Sequence, residues 1–282
     1  MILIDLSQVV ISGITFSVSQ TKIQDPNEDL ILHFALDSIR KVVKKFKHEY
    51  GDVVICCDNK KYWRKAEFPH YKASRKKSRE KSNLDWQLIF KVINQLKVDI
   101  KEYFPYKIVD VEGAEADDVI ATLTKVYHKR EKIIICSSDG DFKQLQKYEN
   151  VKQYNPTTGI FIKSPNVEKE LKEKIIRGDA GDGLSNILSI DECFIIGKRQ
   201  TPISSKKLEV WLTQSPEEFC TEEMLIRYNR NKKLIDFEGI PTNISDNIIS
   251  EYNTVEKGAR NKTYKYLIEK NMINLLEVIG DF

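Results

Sequence analysis

Acidic side chains follow the apolar, strand-like runs of this 282-residue sequence. Asp5 comes after "ILI", Asp58 after "VVICC", and Asp139 and Asp141 flank Gly140 after "IIICSS". If these runs are neighbouring parallel strands, their carboxyl ends open into one crevice, where carboxylates repel one another unless cations lie between them. Ligands that are all oxygen favour Mg²⁺ or Mn²⁺ over zinc. The pattern therefore predicts a site for divalent metal ions, which could activate water if the chain is a hydrolase.

Two further segments carry paired carboxylates. In "EGAEADD" a helix beginning near Glu115 would place Glu115 and Asp118 on one face, with Asp117 about 100° away from Asp118. In "RGDAGDG" Asp179 and Asp182 lie in a glycine-rich break after a predicted helix. A single carboxylate at a helix start is commonly a cap, and the glycines alone would explain the second pair as a helix end and a turn. Both interpretations stay open from the residues themselves.

The pair after "IIICSS" also has two interpretations. Asp141 with Gln144 three residues later fits a capping box, which would make Asp141 part of a helix start. If the backbone instead stays extended through Gly140, the period of two along a strand puts Asp139 and Asp141 on one side. We favour the second arrangement and expect Asp118 to be the nearest partner of the pair.

The wider pattern indicates the elements that position these residues. Short β-branched runs alternate with stretches of helical period, including residues 30–46, 84–103 and 115–127, over about the first 165 residues. This alternation predicts an α/β fold with a mostly parallel central sheet and helices on both faces. The turn "NPTTG" at residues 155–159 predicts a hairpin at the sheet edge, and helical patterns dominate from Val167 onward. We therefore predict a core domain over residues 1–183 and a mainly helical region over residues 184–282.

A basic segment, residues 60–83, directly follows Asp58. Ten Lys or Arg residues stand against two Glu residues between Lys60 and Lys81. Charge runs are usually solvated surface, but this one would overhang the carboxylate crevice, where cations bind the phosphates of a nucleic acid. Its aromatic residues are candidates for stacking on unpaired bases: Tyr62, Trp63, Phe68 and Tyr71. The predicted nucleic-acid contacts are Arg64, Tyr71, Lys72, Arg75, Lys76 and Lys77, joined farther along by Lys198 and Arg199.

The sequence lacks the residue patterns of several other kinds of protein and functional site. No stretch approaches about 20 uninterrupted apolar residues, and the apolar N-terminus has no basic leader, so an intracellular protein without membrane spans is expected. The five cysteines form no CxxC pair and are predicted to be reduced core residues, which argues against zinc sites and disulfide frameworks. There is no glycine-rich nucleotide loop, and the four histidines suggest no catalytic triad. Hydrolysis by this chain would thus depend on metal ions.

Six short motifs occur in the order typical of one enzyme family: "LID" ending at Asp5, "CCDN" around Asp58, "YKASR" at residues 71–75, "GAEADD" at 113–118, "SSDGDF" at 137–142 and "GDAGD" at 178–182. Each is weakly specific, but the ordered set over residues 1–185 resembles the 5′ nuclease (flap endonuclease-like) family, and within it the ribonuclease H branch of T-even-type phages. The resemblance implies a PIN-like core with a helical arch over about residues 60–83. It also implies a 5′→3′ exonuclease or flap endonuclease that hydrolyses RNA:DNA and DNA:DNA duplexes and removes RNA primers during phage DNA replication.

The same resemblance implies roles for individual residues. One metal site is implied for Asp118, Asp139 and Asp141 with Glu115 and Asp117, and a second for Asp5, Asp58, Asp179 and Asp182, several of them through water. Lys72 and Arg75 are implied to reach from the arch to the scissile phosphate, beside Asp139 and Asp141 as the central catalytic carboxylates. Two Mg²⁺ ions, replaceable by Mn²⁺, would assist an in-line hydrolysis that leaves a 5′-phosphate and a 3′-hydroxyl.

One departure from the family pattern concerns duplex binding. The segment "NILSIDECFIIGKRQTP", residues 186–202, lacks the usual Gly-apolar-Gly turn, although Lys198, Arg199, Lys206 and Lys207 are placed to contact phosphates. The expected partners are DNA and RNA:DNA hybrids, with a single-stranded-DNA-binding protein or a sliding clamp as further candidates, and a monomer in the host cytoplasm is expected. The alternatives are a non-catalytic binder of branched DNA, which the complete acidic set disfavours, and a small-molecule phosphohydrolase, which the basic segment disfavours.

Overall fold

The chain folds into two compact units that are interleaved along the sequence. A computed structural model describes residues 1–21, 26–82 and 84–282. The first unit, here called the sheet unit, comprises Met1–Lys60, Leu84–Lys163 and Asn243–Phe282; the second, the helical unit, comprises Lys61–Asn83 and Ser164–Thr242. The domain boundary at residue 183 that the sequence predicts does not coincide with the boundaries of these two units, and it stays a prediction.

A six-stranded sheet forms the centre of the sheet unit. In chain order its strands are β1 (Ile2–Asp5), β2 (Val53–Cys56), β3 (Lys107–Val109), β4 (Ile133–Cys136), β5 (Val151–Asn155) and β6 (Ile160–Ile162). They lie in the order β3-β2-β1-β4-β5-β6, and all are parallel except β6, which pairs antiparallel with β5. This topology confirms the predicted mostly parallel sheet and the hairpin at its edge.

Helices make up most of the remaining described chain. The α-helices are α1 (Leu6–Thr21), α2 (Glu28–Tyr50), α3 (Trp63–Glu67), α4 (Arg75–Glu80), α5 (Trp86–Tyr103), α6 (Ala116–Tyr127), α7 (Val167–Arg177), α8 (Ser205–Thr213), α9 (Pro216–Phe219), α10 (Glu222–Ile235), α11 (Thr242–Thr254), α12 (Arg260–Glu269) and α13 (Ile273–Leu276). Short 3₁₀ helices cover Gly140–Lys147, Phe237–Gly239 and Ile279–Asp281. Helices dominate from Val167 onward, as the sequence predicts, although residues 178–204 contain none.

The core lies on both sides of the central strands. β1, β2 and β4 are buried at every residue, so both faces of the sheet centre are covered. Four of the five cysteines are buried core residues, as predicted: Cys56, Cys57, Cys136 and Cys193. Within the described part of the chain, no helix combines the length and apolar character needed to cross a membrane.

Helix α1 is the element that the sequence interpretation missed. It begins at Leu6, directly after β1, and its buried residues Leu6, Val10 and Ile14 follow a helical period. Val, Ile and Thr recur along its sequence, and such β-branched side chains favour strands over helices. Packing outweighs this propensity: α1 lies so close to α2 that a Cβ on Gly13 would overlap the Ser38 hydroxyl.

Candidate active site

The predicted carboxylates of the sheet unit gather where the strand order changes direction. From β1 the chain moves to β2 on one side and later to β4 on the other, so the carboxyl end of β1 is a topological switch point. Asp5 ends β1, Asp58 follows shortly after β2, and Asp139 follows shortly after β4. The adjacent strand ends bring these three side chains to one edge of the sheet, as predicted.

Asp5 is the most deeply buried of the three. The residue is 5% exposed; one carboxylate oxygen accepts the Gln8 N–H at 3.1 Å, and the other accepts the Ser137 hydroxyl at 3.0 Å. Burial, together with the charges of Asp58 and Asp139, raises the pKa of Asp5 to about 7 despite these hydrogen bonds. The three carboxylates thus repel one another, and a divalent cation between them would remove that repulsion.

The start of α6 adds backbone donors and further carboxylates to the sheet unit. The Ala116 N–H donates to Asp58 Oδ1 at 3.0 Å, so Asp58 lies at the positive end of the helix. Glu115 and Asp118, both buried, form a capping box in which each side chain accepts the other residue's N–H. Asp117 is half-buried on the same turn. The capping interpretation therefore holds for Glu115 and Asp118, which fix the helix start.

The Asp139–Asp141 pair does not lie on a continuing strand. β4 ends at Cys136, and a 3₁₀ helix begins at Gly140. Asp139 caps this helix by accepting the Asp141 N–H at 2.9 Å, while its own N–H donates to the Ser137 hydroxyl at 3.1 Å. The prediction that extended backbone through Gly140 aligns the two carboxylates is wrong, because the Asp139 side chain accepts the Asp141 N–H and so caps the 3₁₀ helix that begins there.

The carboxylates of the sheet unit are donors of the kind that fit a hydrated Mg²⁺ or Mn²⁺ ion. Among residues 1–21, 26–82 and 84–282, no three His, Cys, Asp or Glu side chains already converge on one metal position. The acidic edge offers hard oxygen donors; Asp58 and Asp141 are half-buried, and Asp139 is exposed. Mg²⁺ keeps several waters and uses few carboxylates directly, so an open set of this kind suits it.

In the helical unit, the second acidic pair lies in the tight turn that follows α7. Asp179 Oδ1 accepts the N–H groups of Gly181 at 2.8 Å and Asp182 at 3.2 Å. Its other carboxylate oxygen pairs with Lys174 at 2.8 Å. The segment therefore forms the predicted turn, and its paired carboxylates are part of that turn. Asp179 stabilises the turn by accepting two of its backbone N–H groups.

Gly178→Ala is expected to destabilise this turn by about 2–4 kcal/mol of unfolding free energy. Gly178 has φ of 68°, and a Cβ there would overlap the Leu184 and Ser185 carbonyl oxygens, so the substitution adds both strain and a clash. Gly197→Ala is the matched control, since Gly197 has φ of 70° but nothing within 4 Å of its Cβ position. Urea denaturation followed by circular dichroism measures both, and equal losses would contradict the close approach at Gly178.

Asp182 joins this turn to the basic segment of the same unit. The Tyr71 hydroxyl donates to one carboxylate oxygen at 2.9 Å, Arg75 donates to the other at 2.6 Å, and Lys72 Nζ lies 3.9 Å from that oxygen. Burial alone would raise the pKa of Asp182, but the charges of Lys72 and Arg75 and the Tyr71 hydrogen bond lower it. Asp182, a predicted metal ligand, is thus held next to Lys72 and Arg75, the two predicted phosphate-binding cations.

Several residues of the basic segment are packed inside the helical unit. Trp63, Phe68 and Tyr71 are buried, so the prediction that these rings are exposed for base stacking is wrong; their apolar surface is removed from water instead. Arg64 is 2% exposed and donates to the Leu234 carbonyl oxygen at 2.9 Å. Its guanidinium therefore contacts protein, and the predicted contact of Arg64 with nucleic acid is not available in this structure.

The other predicted cations of the helical unit remain exposed. Lys76 and Lys77 lie on α4, whereas Lys198 and Arg199 lie between α7 and α8. With Arg177, Lys198 and Arg199 line a groove of about 590 Å³. Residues 178–204 contain no α-helix, in keeping with the missing Gly-apolar-Gly turn. Asn83, the last residue of the predicted arch, lies outside the described residues.

Residues that the sequence analysis did not single out also hold the acidic segments. Lys97 Nζ donates to the Asp58 carbonyl oxygen at 2.5 Å and to Asp110 Oδ2 at 2.8 Å. Gln153 and Asn231 are buried amides that donate to main-chain carbonyls beside the acidic turns. The available signal was a polar residue at a buried position: Gln153 lies two residues after the buried Val151 in β5, and Asn231 lies on the buried face of α10.

Comparison with known protein families agrees with this arrangement. Residues 2–175 match the family model described as "5′-3′ exonuclease, N-terminal resolvase-like domain", and residues 164–282 match "T4 RNase H, C terminal". The chain is similar to ribonuclease H of Enterobacteria phage T4, with 35% identity over 291 aligned residues that cover 99% of this chain and 95% of that protein.

Solved structures share the fold. The T5 D15 protein, co-crystallised with metal ions, has a TM-score of 0.60 and 16% identity, and the match covers 90% of this chain and 98% of that one. A complex of the phage T5 D15 flap endonuclease with DNA and metal ions has a TM-score of 0.58 and 16% identity, with the same coverage. At this identity the likeness establishes the fold.

Proposed function

This chain belongs to the 5′-3′ exonuclease family that includes T4 ribonuclease H, and from that premise we propose that it is a Mg²⁺-dependent enzyme of phage DNA replication. Family membership makes it a 5′ nuclease, a hydrolase of phosphodiester bonds. The proposed substrates are RNA:DNA and DNA:DNA duplexes, including 5′ flaps, and the proposed task is removal of RNA primers. The relative's name, ribonuclease H, supports an RNA:DNA substrate.

The carboxylates of the sheet unit would hold two Mg²⁺ ions, for which Mn²⁺ would substitute. The observation that carries this proposal is the switch-point edge, where Asp5 has a pKa raised by burial and by Asp58 and Asp139. The proposed ligands in this unit are Asp5, Asp58, Glu115, Asp117, Asp118, Asp139 and Asp141. The chemistry supplied by bound Mg²⁺ would be a lowered pKa of water and neutralised charge on the scissile phosphate. The T5 structures with metal ions support metal dependence. Asp179 and Asp182 stay predicted ligands.

The basic residues of the helical unit would bind and orient the phosphates. Arg75 now donates to the Asp182 carboxylate and to the Gly181 carbonyl oxygen, at 2.6 Å and 3.1 Å, and a phosphate would accept the same planar set of N–H groups. Lys72 would supply a second positive charge beside it. The exposed cations at Lys76, Lys77, Lys198 and Arg199 would neutralise backbone phosphates, so binding should weaken as salt rises.

The test uses a 5′-labelled RNA:DNA hybrid and a 5′-labelled flap DNA, with Mg²⁺, Mn²⁺ or a chelator. We expect cleavage from the 5′ end with either metal and none with the chelator. Asp58→Asn, which removes one of the proposed metal ligands, is expected to lower the rate about 100-fold or more. Asp52→Asn is its matched control, because Asp52 precedes the same strand at its opposite end and forms an exposed pair with Lys257 at 2.6 Å. Binding without cleavage by the native chain would refute the proposal.

We also propose that the enzyme acts as a monomer in the host cytoplasm, recruited by a single-stranded-DNA-binding protein or a sliding clamp. The similarity to a protein of Enterobacteria phage T4 supports the host-cell setting. Light scattering after size exclusion would measure the mass in solution. A stable dimer at micromolar concentration would contradict the monomer.

A further inference from the structure

We propose that Gln153 and Asn231 are positioning residues, each of which holds one acidic turn by donating both protons of its side-chain amide to main-chain carbonyls. The inference rests on the proposed function, because the acidic turns are taken to bind metal and phosphate there. Gln153 lies in the sheet unit and Asn231 in the helical unit, so the two cases stand on separate observations.

Gln153 holds the turn that carries Asp139. The residue is 1% exposed in β5, and its Nε2 donates to the Ser137 carbonyl oxygen at 3.1 Å and the Asp139 carbonyl oxygen at 2.6 Å. The last main-chain bond of the β4–β5 ladder runs from the Ser137 N–H to the Tyr154 carbonyl oxygen, at 3.1 Å. Beyond Ser137, the Gln153 side chain supplies the hydrogen bonds between β5 and the turn in place of main-chain groups.

The surroundings of Gln153 require an amide. Its Oε1 accepts the Gln146 Nε2 at 3.2 Å, and that same nitrogen lies 3.2 Å from the Ile162 carbonyl oxygen. A reversed amide would direct Oε1 at two carbonyl oxygens, so only one orientation satisfies the site. Glutamate has the same shape but no donor, and lysine has donors but no acceptor. Through Gln146 the network also ties the 3₁₀ helix after Asp139 to the sheet edge.

Asn231 makes the corresponding contact in the helical unit. It is fully buried on α10, and its Nδ2 donates to the Ile175 and Ser185 carbonyl oxygens, each at 2.9 Å. Those two carbonyls stand on either side of the turn that contains Asp179 and Asp182. Its Oδ1 accepts Arg230 Nη2 at 2.8 Å, which again leaves no polar atom of the amide without a partner. One side chain therefore fixes both ends of the turn.

The two residues can serve as each other's control. Gln153→Glu and Asn231→Asp keep the shape and replace the donors by a negative charge that faces carbonyl oxygens; Gln153→Met removes the donors without adding charge. Hydrogen exchange, measured by mass spectrometry on the metal-free protein, reports each turn separately. We expect faster exchange at residues 137–141 in both Gln153 variants, and at residues 175–185 in Asn231→Asp, with each variant leaving the other turn unchanged.

Metal dependence supplies the functional readout. For the Gln153 variants we expect the half-saturating Mn²⁺ concentration for cleavage to rise about 10- to 100-fold, as for other residues that orient metal ligands, with KM for DNA unchanged. Native exchange at 137–141 and a native Mn²⁺ titration would overturn the assignment of Gln153, and loss of the fold in Gln153→Met would do the same. Native exchange at 175–185 in Asn231→Asp would overturn that of Asn231. Failure of the native chain to cleave would refute the proposed function instead, while the exchange result would still stand.

Discussion

Asp5→Asn is expected to remove at least about three orders of magnitude of cleavage rate while making the metal-free protein more stable at pH 8. The loss of rate follows because a metal site contributes several kcal/mol to transition-state stabilisation, and each 1.4 kcal/mol is about tenfold. The gain in stability follows because burial, together with the charges of Asp58 and Asp139, raises the pKa of Asp5 from 3.8 to about 7. Asparagine occupies the same space without a charge.

The pH dependence of this gain has a definite sign. A folded-state pKa above the unfolded value means that Asp5 contributes its full stability below about pH 4, and that this contribution is lost as the pH rises to about 7. A shift of about three units corresponds to roughly 4 kcal/mol at most. The advantage of Asp5→Asn over the native chain should therefore grow from pH 4 to pH 7 and then level off.

Calorimetry in the presence of a chelator, from pH 5 to pH 8, measures this difference as a change in Tm. Asp52→Asn is the control, since it removes an exposed carboxylate whose ion pair with Lys257 contributes little. Addition of Mg²⁺ should then raise the Tm of the native chain more than that of Asp5→Asn. A variant less stable than the native chain at pH 8 would show that Asp5 is held by its hydrogen bonds rather than destabilised by its neighbours.

The acidic edge could be predicted from the sequence because buried parallel strands have a local signature. β1, β2 and β4 are uninterrupted apolar runs, and the carboxylate that follows each run is placed by strand direction alone. The conformation of the chain just after each strand is harder to predict. Asp139 accepts the Asp141 N–H, so the chain turns there; local spacing allowed the extended alternative equally well.

The buried part of the basic segment could not be predicted, because its partners are distant in sequence. Arg64 is buried by a contact with Leu234, and Tyr71 by one with Asp182, respectively 170 and 111 positions further along the chain. Composition shows that aromatic and basic residues alternate there, but not which of them face a core. Helix α1 was missed for a related reason, since its β-branched sequence is overruled by packing against α2.

Arg75→Ala is expected to lower kcat about 100- to 1,000-fold, the typical loss when one donor to developing charge is removed. Its side chain is partly exposed, and its N–H groups already bind one carboxylate oxygen and one carbonyl oxygen in a planar set. Arg75→Lys keeps the charge but loses that planar set, so it should recover only part of the rate. Lys65→Ala is the control, because Lys65 is an exposed cation of the same segment and removes the same net charge.

The fold should tolerate loss of Arg75, which makes the kinetic result interpretable. Asp182 would still accept the Tyr71 hydroxyl at 2.9 Å and would still have Lys72 at 3.9 Å, so its charge would not be left uncompensated. Unfolding midpoints of native, Arg75→Ala and Lys65→Ala chains should therefore agree closely. Lys76→Ala offers a contrast: an exposed phosphate contact should weaken DNA binding and reduce its salt dependence, with kcat nearly unchanged.

The Arg75 and Lys76 variants distinguish a catalytic role from a binding role for two neighbouring residues of α4. If Arg75→Ala changes only KM, Arg75 binds a phosphate of the nucleic-acid backbone as Lys76 does. Its ion pair with Asp182 then only fixes the side chain when no nucleic acid is bound. If kcat falls as expected, the Arg75 side chain has to leave the Asp182 carboxylate for the phosphate in each catalytic cycle. Single-turnover kinetics with saturating DNA decides between the two, because the cleavage step is then measured apart from binding and product release.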